Sequence, residues 1–288
     1  MEVRAVDNFS RGRRDYVAGV DVEVVEGDIR DEGAMTRAAE GVDTVVHLAA
    51  FGSVVESVAD PLENFDVNVR GTLVVLRAAV AAGVRKLVFA STGGAIMGNA
   101  DPPVDETTLP WPISPYGASK LCGEAYCHAF AGSFRLPVVA LRFANVYGPL
   151  SGHKKGVITN FIRHALRGEP ITIYGDGSAT RDFLYVDDLC EGICAAVEAP
   201  LADEVLHLAS GEETSIGGLA QLVLELTGAT DVPIRYEEPR RGEVERTFAR
   251  PDRAAEALGF RPAHSLREGL AKTVEWFAER ERAASPAA

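Results

Sequence analysis

Tyr116 and Lys120 stand four positions apart in the run Ser114-Pro115-Tyr116-Gly117-Ala118-Ser119-Lys120. On a helix that spacing puts a phenol and an ammonium on one face, one turn apart. A free phenol ionises near pH ~10 and is a poor base at neutrality. A neighbouring positive charge favours the phenolate, lowers that pKa and yields a group able to take the proton of an alcohol. Two unrelated polar residues on a solvated helix are the ordinary alternative, so the pair needs partners elsewhere in the chain.

The elements that would position the pair can be read along the sequence. Ser114 is a good N-cap and Pro115 suits the first helical position, so a helix is predicted to open there. Upstream, Val3–Val6 alternates and ends in Asp7-Asn8, Val22–Val25 ends in Glu26-Gly27-Asp28-Ile29, and helical spacing surrounds Ala34–Ala39. Thr44–Leu48 and Leu87–Ala90 are short apolar runs typical of strands buried on both faces. A long amphipathic pattern from Pro61 to Ala82 stops at Gly83, and Val138–Phe143 reads as another strand. Strands alternating with helices predict an α/β chain with a doubly wound parallel sheet.

After Pro149 the texture changes. Helices are predicted at Val157–Arg167, Val186–Ala199, Ser215–Thr227 and Leu266–Glu281, with short strands at Ile171–Ile173, Val205–Leu208 and Ile234–Tyr236. A smaller α/β domain laid over the carboxyl ends of the parallel strands, where open sheets bind ligands, is the expectation. The boundaries are 1–148 for a dinucleotide domain, to which 183–210 returns, and 149–282 (mainly 149–182 and 211–282) for a substrate domain. Residues 283–288 read as a tail.

The 288 residues carry 42 acidic against 29 basic side chains, a net charge of −13, which argues against nucleic acid or an anionic membrane as the main partner. No run reaches the length of a membrane span, and the start has no basic-then-apolar leader pattern, so a cytoplasmic protein is expected. The cysteines pair as Cys122 with Cys127 and Cys190 with Cys194, without metal-site spacing; they are expected to be buried small hydrophobes, and no metal is expected.

Four further stretches accompany the Tyr/Lys pair: His47-Leu48-Ala49-Ala50 with Asn68-Val69-Arg70-Gly71-Thr72; Phe89-Ala90-Ser91-Thr92; Arg142-Phe143-Ala144-Asn145-Val146-Tyr147-Gly148-Pro149; and Arg181-Asp182-Phe183-Leu184-Tyr185-Val186-Asp187-Asp188. In this order and spacing the whole chain resembles the extended short-chain dehydrogenase/reductases of the NAD-dependent epimerase/dehydratase family, most nearly the UDP-glucose (UDP-galactose) 4-epimerases. The resemblance implies a Rossmann-type fold and bound NAD. It makes Tyr116 the base on the sugar 4-hydroxyl, Lys120 its electrostatic partner and holder of the nicotinamide ribose, and Thr92 a hydroxyl that relays the same proton. Asp7 becomes the ribose acid, which favours NAD over NADP, with Asn8 beside it. Asp28 and Ile29 would flank the adenine, Leu48, Ala49 and Ala50 would run past the cofactor, and Asn68 and Phe143 complete the cofactor set. Asn68 suits tying a strand to a helix better than touching cofactor.

For a UDP-sugar substrate, the resemblance implies Asn145, Arg181 and Arg240 on the diphosphate, with Val157, Phe161 and Thr247 around the rest. Arginine suits phosphate because its fork of donors meets two oxygens at once. The small Thr247 is expected to leave room for an N-acetyl group, and Met97 stands where relatives carry tyrosine. A homodimer through the Pro61–Ala82 and Pro115–Gly132 helices is implied by analogy. Related 4,6-dehydratases place an Asp-Glu pair after the threonine, and related decarboxylases a glutamate in that region; here Gly93-Gly94 follows and cannot transfer protons. The simplest chemistry is 4-epimerisation through a transient 4-keto sugar. Another nucleotide-sugar epimerase or reductase, and a catalytically silent sugar-nucleotide-binding protein, remain alternatives.

One part of the family pattern is missing. Such folds open with a strand, a glycine-rich turn and a helix, and the ribose acid follows ~20 residues after the glycines. With Asp7 as the ribose acid there is no room for that segment, and no equivalent occurs elsewhere in the chain. Either the natural chain extends some ~25–30 residues upstream of Met1, by the spacing of that fingerprint, or the phosphate cradle is absent, with weak NAD retention, low stability and little turnover expected.

Overall fold

The structure is a computed structural model that describes residues 2–153, 156–239 and 244–284. In chain order it runs β1 (Arg4–Asp7), β2 (Glu23–Glu26), α1 (Glu32–Ala39), β3 (Thr44–His47), α2 (Val54–Ala59), α3 (Pro61–Phe65), a π-helical turn (Asp66–Arg70), α4 (Gly71–Ala81), β4 (Lys86–Thr92), α5 (Pro115–Phe134) and β5 (Val138–Phe143). The second half holds β6 (Asn145–Tyr147), α6 (Val157–Arg167), β7 (Ile171–Tyr174), β8 (Thr180–Arg181), β9 (Phe183–Tyr185), α7 (Val186–Glu198) and β10 (Glu204–Leu208). It closes with β11 (Thr214–Ser215), α8 (Ile216–Thr227), β12 (Ile234–Glu237), α9 (Asp252–Leu258) and α10 (Leu266–Ala284). The chain divides into two compact units. One comprises Met1–Gly98, Glu106–Phe143 and Ile193–His207; the other comprises Asn99–Asp105, Ala144–Gly192 and Leu208–Ala288.

The first unit is built on a sheet of order β10-β5-β4-β3, with β3/β4 and β4/β5 parallel. Parallel neighbours need a helical crossover, and α4 and α5 supply two of them. Met35 of α1, Leu76 of α4 and Phe130 of α5 join Leu87, Phe89 and Val138 in one apolar layer, so three helices cover one face of the sheet. β1 pairs in parallel with β2 alone. Val6 and Val45 pack against that same layer, yet β1 and β3 are not hydrogen-bonded to each other. Val46, whose side chain points the other way from Val45, is 38% exposed, and Leu48 just beyond the strand is 54% exposed. The fold is thus the doubly wound α/β sheet expected, and among the described residues no strand pairs with both β1 and β3.

The second unit pairs β6 with β9 and β7 with β12 in parallel, and β8 with β11 antiparallel. Its core joins Ile162 of α6, Ile171 and Ile173 of β7, Leu219 and Val223 of α8, and Leu270 and Phe277 of α10.

The cysteine expectation needs correcting: only Cys127 is buried, whereas Cys122 is half-buried and Cys190 and Cys194 are exposed. All four are free thiols, and no group of three His, Cys, Asp or Glu suited to a metal occurs among the described residues. No helix among the described residues is long and apolar enough to cross a membrane.

Candidate active site

Helix α5 begins as its sequence suggests. The Ser114 hydroxyl accepts the Gly117 N–H at 3.2 Å, and Pro115 occupies the first turn. A second hydroxyl, Ser57 Oγ of α2, accepts the Tyr116 N–H at 3.1 Å, so two of the orphan donors at this helix start are satisfied. Two glycines let α5 lie close to the strand it serves. A side chain at Gly117 would drive into the Ala95 carbonyl, and one at Gly123 into the ring of Phe89 on β4. This approach lets Lys120 Nζ donate to the Ala90 carbonyl at 2.8 Å, 5.0 Å from the Phe89 ring centre. Thr92, at the end of β4, is near enough to the Tyr116 phenol to favour its charged form. The three residues predicted to do chemistry are therefore brought together.

Their charge balance differs from the expectation. Burial pushes the Tyr116 phenol up to about 12, and the Thr92 hydroxyl opposes this only in part. Burial also brings Lys120 down to about 8, against the opposing pull of Cys127 and Glu124. Spacing alone predicted a phenol lowered by its ammonium. The structure instead buries both groups, which disfavours each charged form, and commits Lys120 to a backbone carbonyl.

Around this pair runs a polar scaffold. Asn64, Asn68 and Thr72 lie four residues apart on the helical stretch containing the π turn, and all three are buried. Asn68 Oδ1 accepts the Phe51 N–H at 2.7 Å, while Asn68 Nδ2 donates to Ser119 Oγ at 2.9 Å and to the Phe51 carbonyl at 3.2 Å. Asn64 Nδ2 reaches that carbonyl at 3.2 Å too. Thr72 meets His47 Nε2 at 3.0 Å. The segment Leu48-Ala49-Ala50 is thus pinned at His47 and Phe51, while Ala49 and Leu48 themselves stay exposed. Asn68 ties this loop to α5 through Ser119.

At the other end of the unit, Asp7 Oδ1 accepts the Phe9 N–H at 2.7 Å. Asn8 Nδ2 donates to Asp28 Oδ2 at 3.0 Å, which links the ends of β1 and β2. Arg30 grips Asp28 through Nε (2.9 Å) and Nη2 (2.8 Å) and reaches Glu63 at 3.1 Å and Asp66 at 3.0 Å. These bonds hold the Asp28 carboxyl far below the usual carboxylate range. Ile29 packs over Gly71, and Phe143 is half-buried at the end of β5. A carboxylate at a strand end, linked asparagine and aspartate beyond it, and a small-residue loop held taut fit a dinucleotide with a free 2′-hydroxyl, which is NAD. Among the described residues no glycine-rich turn opens a helix that would cradle the pyrophosphate.

The substrate candidates fall in the second unit. Asn145 is exposed and donates through Nδ2 to the Asp182 carbonyl at 3.0 Å. Arg181 donates through Nη1 to the carbonyls of Thr180 (2.7 Å) and Glu245 (3.3 Å). Thr247 is half-buried and its N–H meets the Thr180 carbonyl at 3.3 Å. Val157 is half-buried, but Phe161 is buried in the unit's core, so its ring is given to packing. Arg240 lies outside the described residues.

Sequence reading missed Ser91, Glu124 and Arg142, which form a buried cluster beside Lys120, and Arg30 with its three carboxylates. Glu124 carries a signal in hindsight, since it stands one turn beyond Lys120 on the same face of α5.

Comparison with known proteins bears on this geometry. A family model described as the NAD dependent epimerase/dehydratase family matches residues 1–211. A putative UDP-glucose 4-epimerase of Methanocaldococcus jannaschii is 35% identical over 98% of this chain and 92% of its own length. A UDP-glucose 4-epimerase of Mycolicibacterium smegmatis is 36% identical over 96% of this chain and 90% of its own. The crystal structure of a Thermotoga maritima UDP-glucose 4-epimerase with UDP-glucose superposes with a TM-score of 0.93 at 38% identity, covering 97% of this chain and 92% of that one. Other reactions are represented as well: a UDP-N-acetyl-alpha-D-glucosaminuronate decarboxylase of Bacillus cytotoxicus is 33% identical over 97% of this chain and 91% of its own.

Proposed function

Because the chain belongs to the NAD dependent epimerase/dehydratase family, we propose that it catalyses the NAD-dependent 4-epimerisation of a UDP-hexose, interconverting UDP-glucose and UDP-galactose. Tyr116, as the phenolate, takes the 4-hydroxyl proton, directly or through the neighbouring Thr92 hydroxyl. Lys120, seated on the Ala90 carbonyl, favours the phenolate that must be present before that proton is taken, and Tyr116 is left as the neutral phenol once it has taken it. NAD, when bound, supplies a hydride acceptor at C4 that is reset once the hydride returns to the opposite face of the 4-keto sugar. Asp7 and Asn8 would hold its adenosine ribose, Asp28 and Ile29 the adenine, and Lys120 the nicotinamide ribose. Asn145, Arg181 and Arg240 would take the diphosphate, and Thr247 would leave room for an N-acetylated sugar.

The observation that favours epimerisation over dehydration or decarboxylation is that Thr92 is followed by Gly93-Gly94, neither of which can transfer a proton. A side chain at Gly93 would meet His207 Nδ1 and the Phe143 carbonyl oxygen, each at 3.2 Å. The chemistry at this strand end therefore rests on one hydroxyl and one phenol. Assembly as a homodimer through α3–α4 and α5 fits the exposure of Leu62 (80%) and Phe65 (56%). The test is turnover of UDP-galactose with NAD supplied. Tyr116→Phe is expected to lower it on the order of 10²–10⁴-fold, the worth of a positioned general base. Equal rates for the variant and its parent would overturn the assignment.

A further inference from the structure

Tyr116, Lys120 and Glu124 occupy successive turns of one face of α5, and three consecutive residues of β4 answer them. Thr92 lies by the Tyr116 phenol, the Ala90 carbonyl accepts from Lys120, and Ser91 Oγ donates to Glu124 Oε1 at 2.6 Å. From β5, Arg142 closes a two-pronged pair on Glu124, Nε to Oε1 at 2.9 Å and Nη2 to Oε2 at 2.8 Å. The side chains of Arg142 and Glu124 are only 5% and 8% exposed. A buried ion pair is seldom more stabilising than apolar residues of the same volume. Its position beside the lysine calls for another explanation.

We propose that Glu124 is a positioning residue for the Tyr116/Lys120 pair: its carboxylate, clamped by Arg142 and Ser91, keeps the Lys120 ammonium charged and seated on the Ala90 carbonyl. This rests on Tyr116 and Lys120 being the reacting pair. The other groups facing Lys120 cannot supply the negative charge. On α5, burial raises the Tyr116 phenol and the Cys127 thiol to about 12 each, so both are neutral near pH 7. On β3, burial, with help from Lys120 itself, lowers His47 to about 3, so the ring is uncharged. β4 contributes hydroxyls and a carbonyl, the π-helical turn contributes Asn68, and the Arg142 guanidinium on β5 is turned to Glu124. α2 and α3 also pack on α5, but their Glu56 and Glu63 are paired with Arg11 and Arg30, which leaves Glu124 as the carboxylate that acts on Lys120.

Five lysines in the chain make [ε-13C]lysine NMR a direct readout, with Lys120 assigned from the spectrum of Lys120→Met. Glu124→Gln keeps the shape and the acceptor for Ser91 but removes the charge. Glu124→Gln/Arg142→Met removes both charges, which covers the case in which the lone buried guanidinium prevents folding. The Lys120 titration midpoint is expected to fall by about one pH unit or more in both, from a carboxylate one helical turn away. Arg142→Met alone frees the full carboxylate charge and is expected to raise it. A network that only clips α5 to the sheet would lower Tm and leave the midpoint in place. An unchanged midpoint in any folded variant of the series overturns the proposal. The titration needs neither substrate nor turnover, so it stands or falls apart from the epimerase reading.

Discussion

Replacing Asn68 by alanine tests how the cofactor-side loop is coupled to the catalytic helix. The substitution removes the acceptor of the Phe51 N–H (2.7 Å), the donor to Ser119 Oγ (2.9 Å) and the donor to the Phe51 carbonyl (3.2 Å). An N–H left without a partner costs about 1–3 kcal/mol, and each further bond lost costs ~1 kcal/mol net. The total is about 3–5 kcal/mol, a drop in Tm of roughly 6–20 °C. Asn68→Asp keeps the shape and the acceptor for Phe51 while losing both donated bonds. The assay is site-resolved amide hydrogen exchange alongside thermal melts. The Phe51 amide is expected to lose protection in Asn68→Ala and to keep it in Asn68→Asp, with NAD affinity reduced in the alanine variant. A Phe51 amide equally protected in Asn68→Ala and the parent would refute the coupling.

Gly123→Ala and Gly132→Ala gain the same helix propensity on the same helix, but only the first drives a methyl into the Phe89 ring; nothing lies within 4 Å of the second. Chemical denaturation should place Gly123→Ala about 1–3 kcal/mol below Gly132→Ala, the usual cost of overpacking. Asp28, held down chiefly by its hydrogen bonds from Arg30, contributes stability that is present above its unfolded pKa of ~3.9 and lost as pH falls toward its folded value. The stability gap between the parent and Arg30→Met, measured by denaturant melts, should therefore narrow below pH ~4. With Lys120 brought down to about 8, turnover should decline as pH rises through that value, read from a pH–rate profile.

What the sequence made legible follows from periodicity and capping. The strand Val138–Phe143 and the helix Val157–Arg167 stand where their apolar patterns put them, and Ser114-Pro115 opens α5. β6, β8, β9 and β11 are two or three residues long, too short for any period to register. Cys190 and Cys194 were misjudged because a residue type's average burial says nothing of which helix face it takes. The Tyr116–Lys120 spacing placed the pair but not the direction of the phenol's shift, which burial decides. The Glu124–Arg142 pair joins residues 18 positions apart across a helix and a strand, a contact that no local pattern encodes.

The central claim is that Tyr116 and Lys120 serve a reversible oxidation at one sugar carbon, with the hydride never released to solvent. The most direct measurement follows UDP-galactose carrying deuterium at C4, with NAD supplied, by NMR of the product. The account predicts UDP-glucose that retains deuterium at C4, formed by the parent and suppressed in Tyr116→Phe. Product that has exchanged its C4 deuterium for solvent hydrogen, or a dehydrated or decarboxylated sugar in its place, would contradict it.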